Sequence, residues 1–246
     1  MTDILAFGAH PDDTELGCAG TLAASVQQGK SVVVVDLTRG EMGTRGSAEL
    51  RMKEAADAAA ILGLTARDNL GLPDTLLTNT RDHHLPIIQK VRHYRPHVCI
   101  LPAPADRHPD HGHAAALLKD AIFYAGLAKI ETIGDDGKPQ EPHRPHHILH
   151  YMQDTPFEPD FVFDITHSID LKEEAIKAFS SQFNVSDPGR EPETYVSGIA
   201  FFEALRARAR LLGHRAGFAY GEGFLAAQKP ISLTSLDLFL STSPKR

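Results

Sequence analysis

The opening of the chain leaves few folds available to it. Ile4-Leu5-Ala6-Phe7 is a short apolar run ending at Gly8, and Val32-Val33-Val34-Val35 is a β-branched run too short for a helix. Between them, residues 15–28 place Leu16, Ala19, Leu22, Ala23 and Val26 at helical spacing, with Gly29 as a C-cap. Strand, helix and strand in so short a span make a βαβ unit, which requires parallel strands and a right-handed crossover. The pattern then repeats. Helices are expected over residues 48–62, 85–94 and 110–125, a weak strand over 66–70 and a buried strand over 98–101. Later strands are expected at 148–152 and 161–165, later helices at 171–179 and 197–212, and an exposed loop at 134–146. This order predicts an α/β chain with a Rossmann-like, doubly wound, mostly parallel sheet. Its ligands should sit at the carboxyl ends of the strands. Residues 1–246 read as a single domain, with 225–246 as a C-terminal extension that shows no clear pattern from Lys229 on.

Composition narrows the function. With 42% hydrophobic and 23% charged residues the chain reads as an ordinary soluble protein, and a formal net charge of −7 argues against a nucleic-acid partner. No apolar run approaches the roughly 18 residues of a membrane span. The start of the chain lacks a basic segment followed by an apolar one, so a cytoplasmic location is expected. The two cysteines, Cys18 and Cys99, fall in apolar predicted elements and read as small core residues. The 14 histidines are many, but several (His83, His84, His143, His146, His147) lie in or beside loops, where solvation is the default.

Position matters more than number. Ala9-His10-Pro11-Asp12-Asp13 follows the first strand, and His108-Pro109-Asp110-His111 follows the strand at 98–101. His10 and Asp13 are spaced i, i+3 on a turn entering a helix, and His108 and His111 share that spacing. One residue from each pair plus a third gives two imidazoles and a carboxylate, the donor set of a catalytic zinc site with a position left for water. No cysteine is placed to close it. The remaining carboxylate and imidazole are then free to move protons, and a protonated histidine could stabilise an oxyanion. The same donors also suit a non-haem iron oxygenase, which needs more open metal positions and a co-substrate site. A non-catalytic sugar-binding module is the other alternative, but it gains little from a carboxylate beside a metal.

These residues resemble a known family, the zinc-dependent N-acetylglucosaminyl deacetylases of the PIG-L/LmbE type. The match rests on Ala9-His10-Pro11-Asp12-Asp13 with Glu15, on Arg51-x-x-Glu54-Ala55, and on His108-Pro109-Asp110-His111. The segment Thr38-Arg39-Gly40-Glu41-Met42-Gly43-Thr44-Arg45-Gly46 and the stretch Pro192-Glu193-Thr194-Tyr195 look like the bacillithiol-biosynthesis branch, which deacetylates N-acetylglucosaminyl malate. The resemblance implies one Zn2+ per chain, with Fe2+ or another divalent ion as the alternative. It implies His10, Asp13 and His111 as ligands, Asp12 as general base, and His108 as acid and oxyanion stabiliser oriented by Asp110. Arg51 and Tyr195 match positions that meet the substrate or the reacting carbonyl. His113 should point off the site and is the alternative ligand to His111. The resemblance also implies a homo-oligomer, a hexamer. A malate aglycone would carry two carboxylates, and Arg39, Arg45, Arg107 and Arg190 lie in loops at the expected ligand edge, with Arg107 the leading candidate to bind them.

Overall fold

In the computed structural model, which describes residues 1–183 and 192–231, the run Ile4–Gly8 forms β1. It is followed by α1 (Asp13–Gln27), β2 (Val32–Thr38), α2 (Ala48–Leu62), β3 (Ala66–Leu72), α3 (Arg81–Tyr94), β4 (Val98–Leu101) and α4 (Pro109–Ala125). The second half adds β5 (His147–Tyr151), β6 (Phe161–Asp164), α5 (Ile169–Ala178), α6 (Ile199–Ala216) and β7 (Gly221–Ala226). Seven strands make one sheet in the order β3-β2-β1-β4-β5-β7-β6. β1 to β5 pair in parallel, and β7 runs antiparallel between β5 and β6. The expected doubly wound, mostly parallel sheet is the architecture of the chain.

Two points differ from the sequence expectation. α3 starts four residues earlier than the 85–94 helix, at Arg81 after the extended Thr80, and so carries Pro86 within it. β7 has no counterpart in the reading of the sequence. Its glycines, Gly221 and Gly223, argue against a strand by propensity. Packing reverses that: a Cβ at Gly221 would lie 2.4 Å from Val162 and 3.1 Å from the backbone of Gly213 in α6, so the helix can cross the strand only where the side chain is absent. β7 extends to Ala226, past the start of the expected extension, and residues 232–246 lie outside the described part.

Both faces of the sheet are covered, which is why β1 and β2 are buried along nearly their whole length. On one side Leu5, Phe7, Val33 and Val35 pack with Ile87, Val91, Leu117 and Leu118 of α3 and α4. On the other, Ala6, Val32 and Val34 meet Cys18 and Leu22 of α1. Cys18 and Cys99 are both free and buried, as core residues.

Glu15, part of the first motif, has a structural task. Its side chain is fully buried and pairs with Arg67 Nη1 at 2.6 Å, while Arg67 Nε reaches Asp36 Oδ2 at 2.8 Å. One guanidinium on β3 therefore neutralises two buried carboxylates, on α1 and on β2. Arg67→Ala leaves both uncompensated. It should lower the free energy of unfolding by about 3–5 kcal/mol. Denaturant titration would read the change, and a loss below about 1 kcal/mol would mean that water or protonation replaces the guanidinium.

Candidate metal and catalytic site

β1 and β4 are hydrogen-bonded neighbours (Ile4 opposite Val98, Ala6 opposite Ile100), yet the chain leaves them in opposite directions across the sheet. The crevice between their carboxyl ends is the topological switch point, where an open α/β sheet receives its ligand. The two sequence clusters are the continuations of these two strands, so they meet although about a hundred residues separate them. His10 lies in the turn after β1 and Asp13 opens α1. His108 is the N-cap of α4, with Asp110 and His111 in its first turn.

The imidazoles and carboxylates are arranged by their outer partners. His10 Nε2 lies 3.1 Å from Asp74 Oδ1 and 3.3 Å from Asp110 Oδ2. That nitrogen therefore carries a proton, which leaves Nδ1, 3.5 Å from Asp13 Oδ2, as the lone pair. His111 Nδ1 lies 2.6 Å from Asp106 Oδ2, which leaves Nε2 facing Asp13 Oδ1 at 3.0 Å. Asp13 is held by the His10 backbone N–H at 2.8 Å and by Gln153 Nε2 at 3.1 Å. Two imidazole lone pairs and a carboxylate thus converge, each histidine backed by a carboxylate, as in metal sites. Such a set needs a cation at its centre. The protonation balance reflects this need. Burial alone would lower the pKa of His10, but hydrogen bonds to Asp110, Asp13 and Asp74 hold it well above the usual imidazole range. Burial likewise opposes a charge on His111, and the Asp13 and Asp106 carboxylates override it and raise its pKa to about 9. Without a metal ion, protons supply the positive charge. The residues present fit a divalent ion.

Among the described residues, two overlapping groups have the spacing of a metal site: ring nitrogens of His10, His108 and His111, and His10 with the Asp74 and Asp110 carboxylates, each set within 4.8 Å. In the second group, Asp74 also accepts from Met42 N–H at 2.9 Å and Asp110 from Thr75 N–H at 3.0 Å. Both carboxylates are thereby tied to backbone on the outer side of His10.

Asp12 sits beside this centre in a backbone conformation that few residues adopt, with φ 117°. Such strain persists where the surroundings impose it, typically at functional positions. Here Arg51 Nη2 bonds both Asp12 Oδ2 at 2.7 Å and Pro11 O at 2.5 Å. Burial pushes the Asp12 carboxyl up to about 7, with the Arg51 charge opposing the rise. Gly40 makes room for Arg51. It has φ +65°, and a Cβ there would lie 2.1 Å from Arg51 Nη1.

Several sequence expectations change in detail. Arg51, expected to meet the substrate or the reacting carbonyl, lines the cleft and is also engaged with Asp12. Asp110 does not orient His108 with its carboxylate, which faces His10 and Thr75; its backbone N–H donates to His108 Nδ1 at 3.3 Å. That bond puts the proton of a neutral His108 on Nε2. Burial, then the charges of His10 and His111, lower the His108 pKa. His113 is exposed, 3.8 Å from Asp110, and points off the site. Tyr195 is 61% exposed at the rim, its hydroxyl donating to Asp154 Oδ1 at 3.1 Å. Of the four arginines, Arg107 lines the cleft but pairs with Asp154 at 2.8 Å and stacks on Tyr195 at 4.3 Å. Arg45 is buried and bonded to the carbonyls of Ser181 and Pro192. Arg39 is not among the cleft residues, and Arg190 lies outside the described residues.

The residues missed by the sequence reading are Asp74, Asp106, Gln153, Asp154 and Arg208, all in a cleft of about 230 Å³ over the centre or bonded to it. The first four follow β3, β4 and β5 within a few residues. The rule that ligands gather at strand carboxyl ends, applied to every strand, would have pointed to them. Glu54 of the second motif is structural: it accepts from Ser181 N–H at 2.6 Å and Ser181 Oγ at 2.7 Å.

The family model described as "PIG-L: GlcNAc-PI de-N-acetylase" matches residues 5–122, which span both clusters. Diacetylchitobiose deacetylase of Thermococcus kodakarensis is 30% identical over 230 residues, covering 89% of this chain and 81% of its own. The chain belongs to the PIG-L deacetylase family. As a deacetylase, it is a hydrolase of amide bonds, and the family's metal dependence accords with the convergent donors above. A 1D-myo-inositol 2-acetamido-2-deoxy-alpha-D-glucopyranoside deacetylase from a Mycobacterium species is 27% identical, over 76% of each chain. Among solved structures, the conserved protein TT1542 from Thermus thermophilus superposes on the deacetylase with a TM-score of 0.82 at 39% identity, covering 95% of this chain and 98% of that one. Among the described residues of the deacetylase, no helix is long and apolar enough to cross a membrane.

Proposed function

We propose that this chain removes the acetyl group from an N-acetylglucosaminide, using a divalent metal ion, zinc first, held by His10, Asp13 and His111. The observation that carries the reading is the pair of outer hydrogen bonds, His10 Nε2 to Asp74 and Asp110 and His111 Nδ1 to Asp106, which turn the other nitrogen of each ring toward Asp13. The sugar is supported by the relatives, whose names specify a diacetylated chitobiose and an acetamido-glucosyl inositol.

An ion held by these three residues would supply Lewis-acid polarisation and an acidified water. Asp12 accepts the proton of the attacking water. Its Oδ2 is occupied by Arg51, and its other oxygen has no partner among the described residues. The His108 Nε2–H donates to the acetamide oxygen as charge builds on it. As the carbon–nitrogen bond breaks, the proton taken by Asp12 passes to the departing amine, leaving acetate and a free amino sugar.

Within this class we take N-acetylglucosaminyl malate as the substrate. The two stretches that resemble the bacillithiol branch both border the cleft: Met42 and Gly43 line it, and Tyr195 stacks on Arg107 at its rim. Acetate release is expected to show at least ~10-fold higher kcat/KM for the malate glycoside than for free N-acetylglucosamine, the ratio given by about 1.4 kcal/mol of transition-state binding. Equal values would remove malate while leaving the deacetylase assignment in place. No acetate from either compound would remove the sugar.

A further inference from the structure

Helix α6 carries four arginines, and three of them face outward to partners. Arg206 pairs with Glu173, Arg210 Nη1 donates to Ala219 O at 2.8 Å, and Arg215 pairs with Glu158. Arg208 differs. It lies on the inward face with Leu205, Ala209 and Leu212, is partly buried, and lines the cleft above the metal centre. Its only hydrogen bond among the described residues runs from Nη1 to the backbone carbonyl of Gln153. A guanidinium offers five N–H donors and stays charged in any protein environment, so an inward-facing one with a single carbonyl partner is incompletely satisfied.

The carboxylates nearest in charge do not complete it. Glu222, Asp154 and Asp106 are the anions whose fields favour its charge against burial. Each is bonded elsewhere. Glu222 takes Lys172 Nζ at 2.5 Å and Thr21 N–H at 2.8 Å, Asp154 takes Arg107 and Tyr195, and Asp106 takes His111 and Thr155 N–H. None lies within ion-pair distance of Arg208 among the described residues. The charge and remaining donors of Arg208 adjoin the space a substrate must fill.

We infer that Arg208 is a specificity residue that binds a carboxylate carried by the sugar's substituent, so that the enzyme selects acidic glycosides over neutral ones of the same shape. The inference rests on the proposed sugar deacetylation and deepens it. It also explains why Arg107 need not do this work, since Asp154 already neutralises it.

The test compares N-acetylglucosaminyl malate with its dimethyl ester, which has the same sugar and linkage but no charge. Wild type, Arg208→Gln and Arg208→Lys, each loaded with metal, are assayed for acetate release, and calorimetry measures binding of the diacid. Arg208→Gln should lower kcat/KM on the diacid by about 10- to 100-fold, the range of charge-assisted hydrogen bonds, mainly through KM. On the ester the loss should stay below about 3-fold, and Arg208→Lys should recover part of the preference. Equal losses on diacid and ester, or no loss on the diacid, would overturn the inference. Wild type that binds the diacid through Arg208 but releases no acetate would support Arg208 and sink the deacetylation of this sugar. Wild type that does not bind the diacid would sink both.

Discussion

Asp12→Asn is expected to fold, to keep a full equivalent of metal, and to lose about 10²–10⁴ in kcat, the usual contribution of a positioned general base. Asparagine is the informative replacement. It tolerates positive φ better than other non-glycine residues, so the φ 117° turn should survive. Its amide oxygen can still accept from Arg51, which bonds Asp12 Oδ2 at 2.7 Å. What is lost is the ability to take a proton. Burial raises the Asp12 carboxyl to about 7, against the pull of Arg51, which places it where a base works at neutral pH. The measurements are metal content and single-turnover acetate release on the same preparation. A metal-replete Asp12→Asn enzyme turning over near the wild-type rate would assign the proton transfer to another group.

The role of Asp12 as base came only from the family resemblance; that the turn after β1 belongs to the site could be anticipated from the sequence because its signal is local, two carboxylates and an imidazole after a buried strand. β1, α1 and β2 were legible for the same reason, since Ile4 to Phe7 and the four valines at 32–35 announce their strands without long-range information. What could not be read depended on contacts formed only by the fold. Asp74 and Asp106 are ordinary loop aspartates until β3 and β4 place them behind His10 and His111. Arg208 is one of four arginines on a helix whose turn toward the cleft depends on how α6 packs against β7, a strand hidden by its own glycines. Charge alone did not separate Arg45, which is absent from the cleft lining, from Arg107, which lines it. Both lie near the ligand edge, and both are engaged by protein partners.

Removing His10, Asp13 or His111 should abolish metal binding outright, the largest effect expected anywhere in the chain. Truncating any one leaves two donors for an ion that is usually held by three. Asp106→Asn and Asp74→Asn should behave differently. Each keeps an acceptor for the imidazole N–H but removes the charge behind it, so affinity should fall by about 10- to 100-fold without vanishing. Chelator competition on the purified variants gives both numbers directly and does not depend on knowing the substrate. The comparison also separates the proposed set from the group of His10, Asp74 and Asp110. If the ion sits among His10, Asp74 and Asp110, whose donor atoms also lie within 4.8 Å of one another, Asp74→Ala would empty the site and His111→Ala would leave it occupied. The expected pattern is the reverse, because the Asp74 and Asp110 carboxylates approach His10 on Nε2 and are bound to Met42 and Thr75 backbone, while Asp13 lies between Nδ1 of His10 and Nε2 of His111.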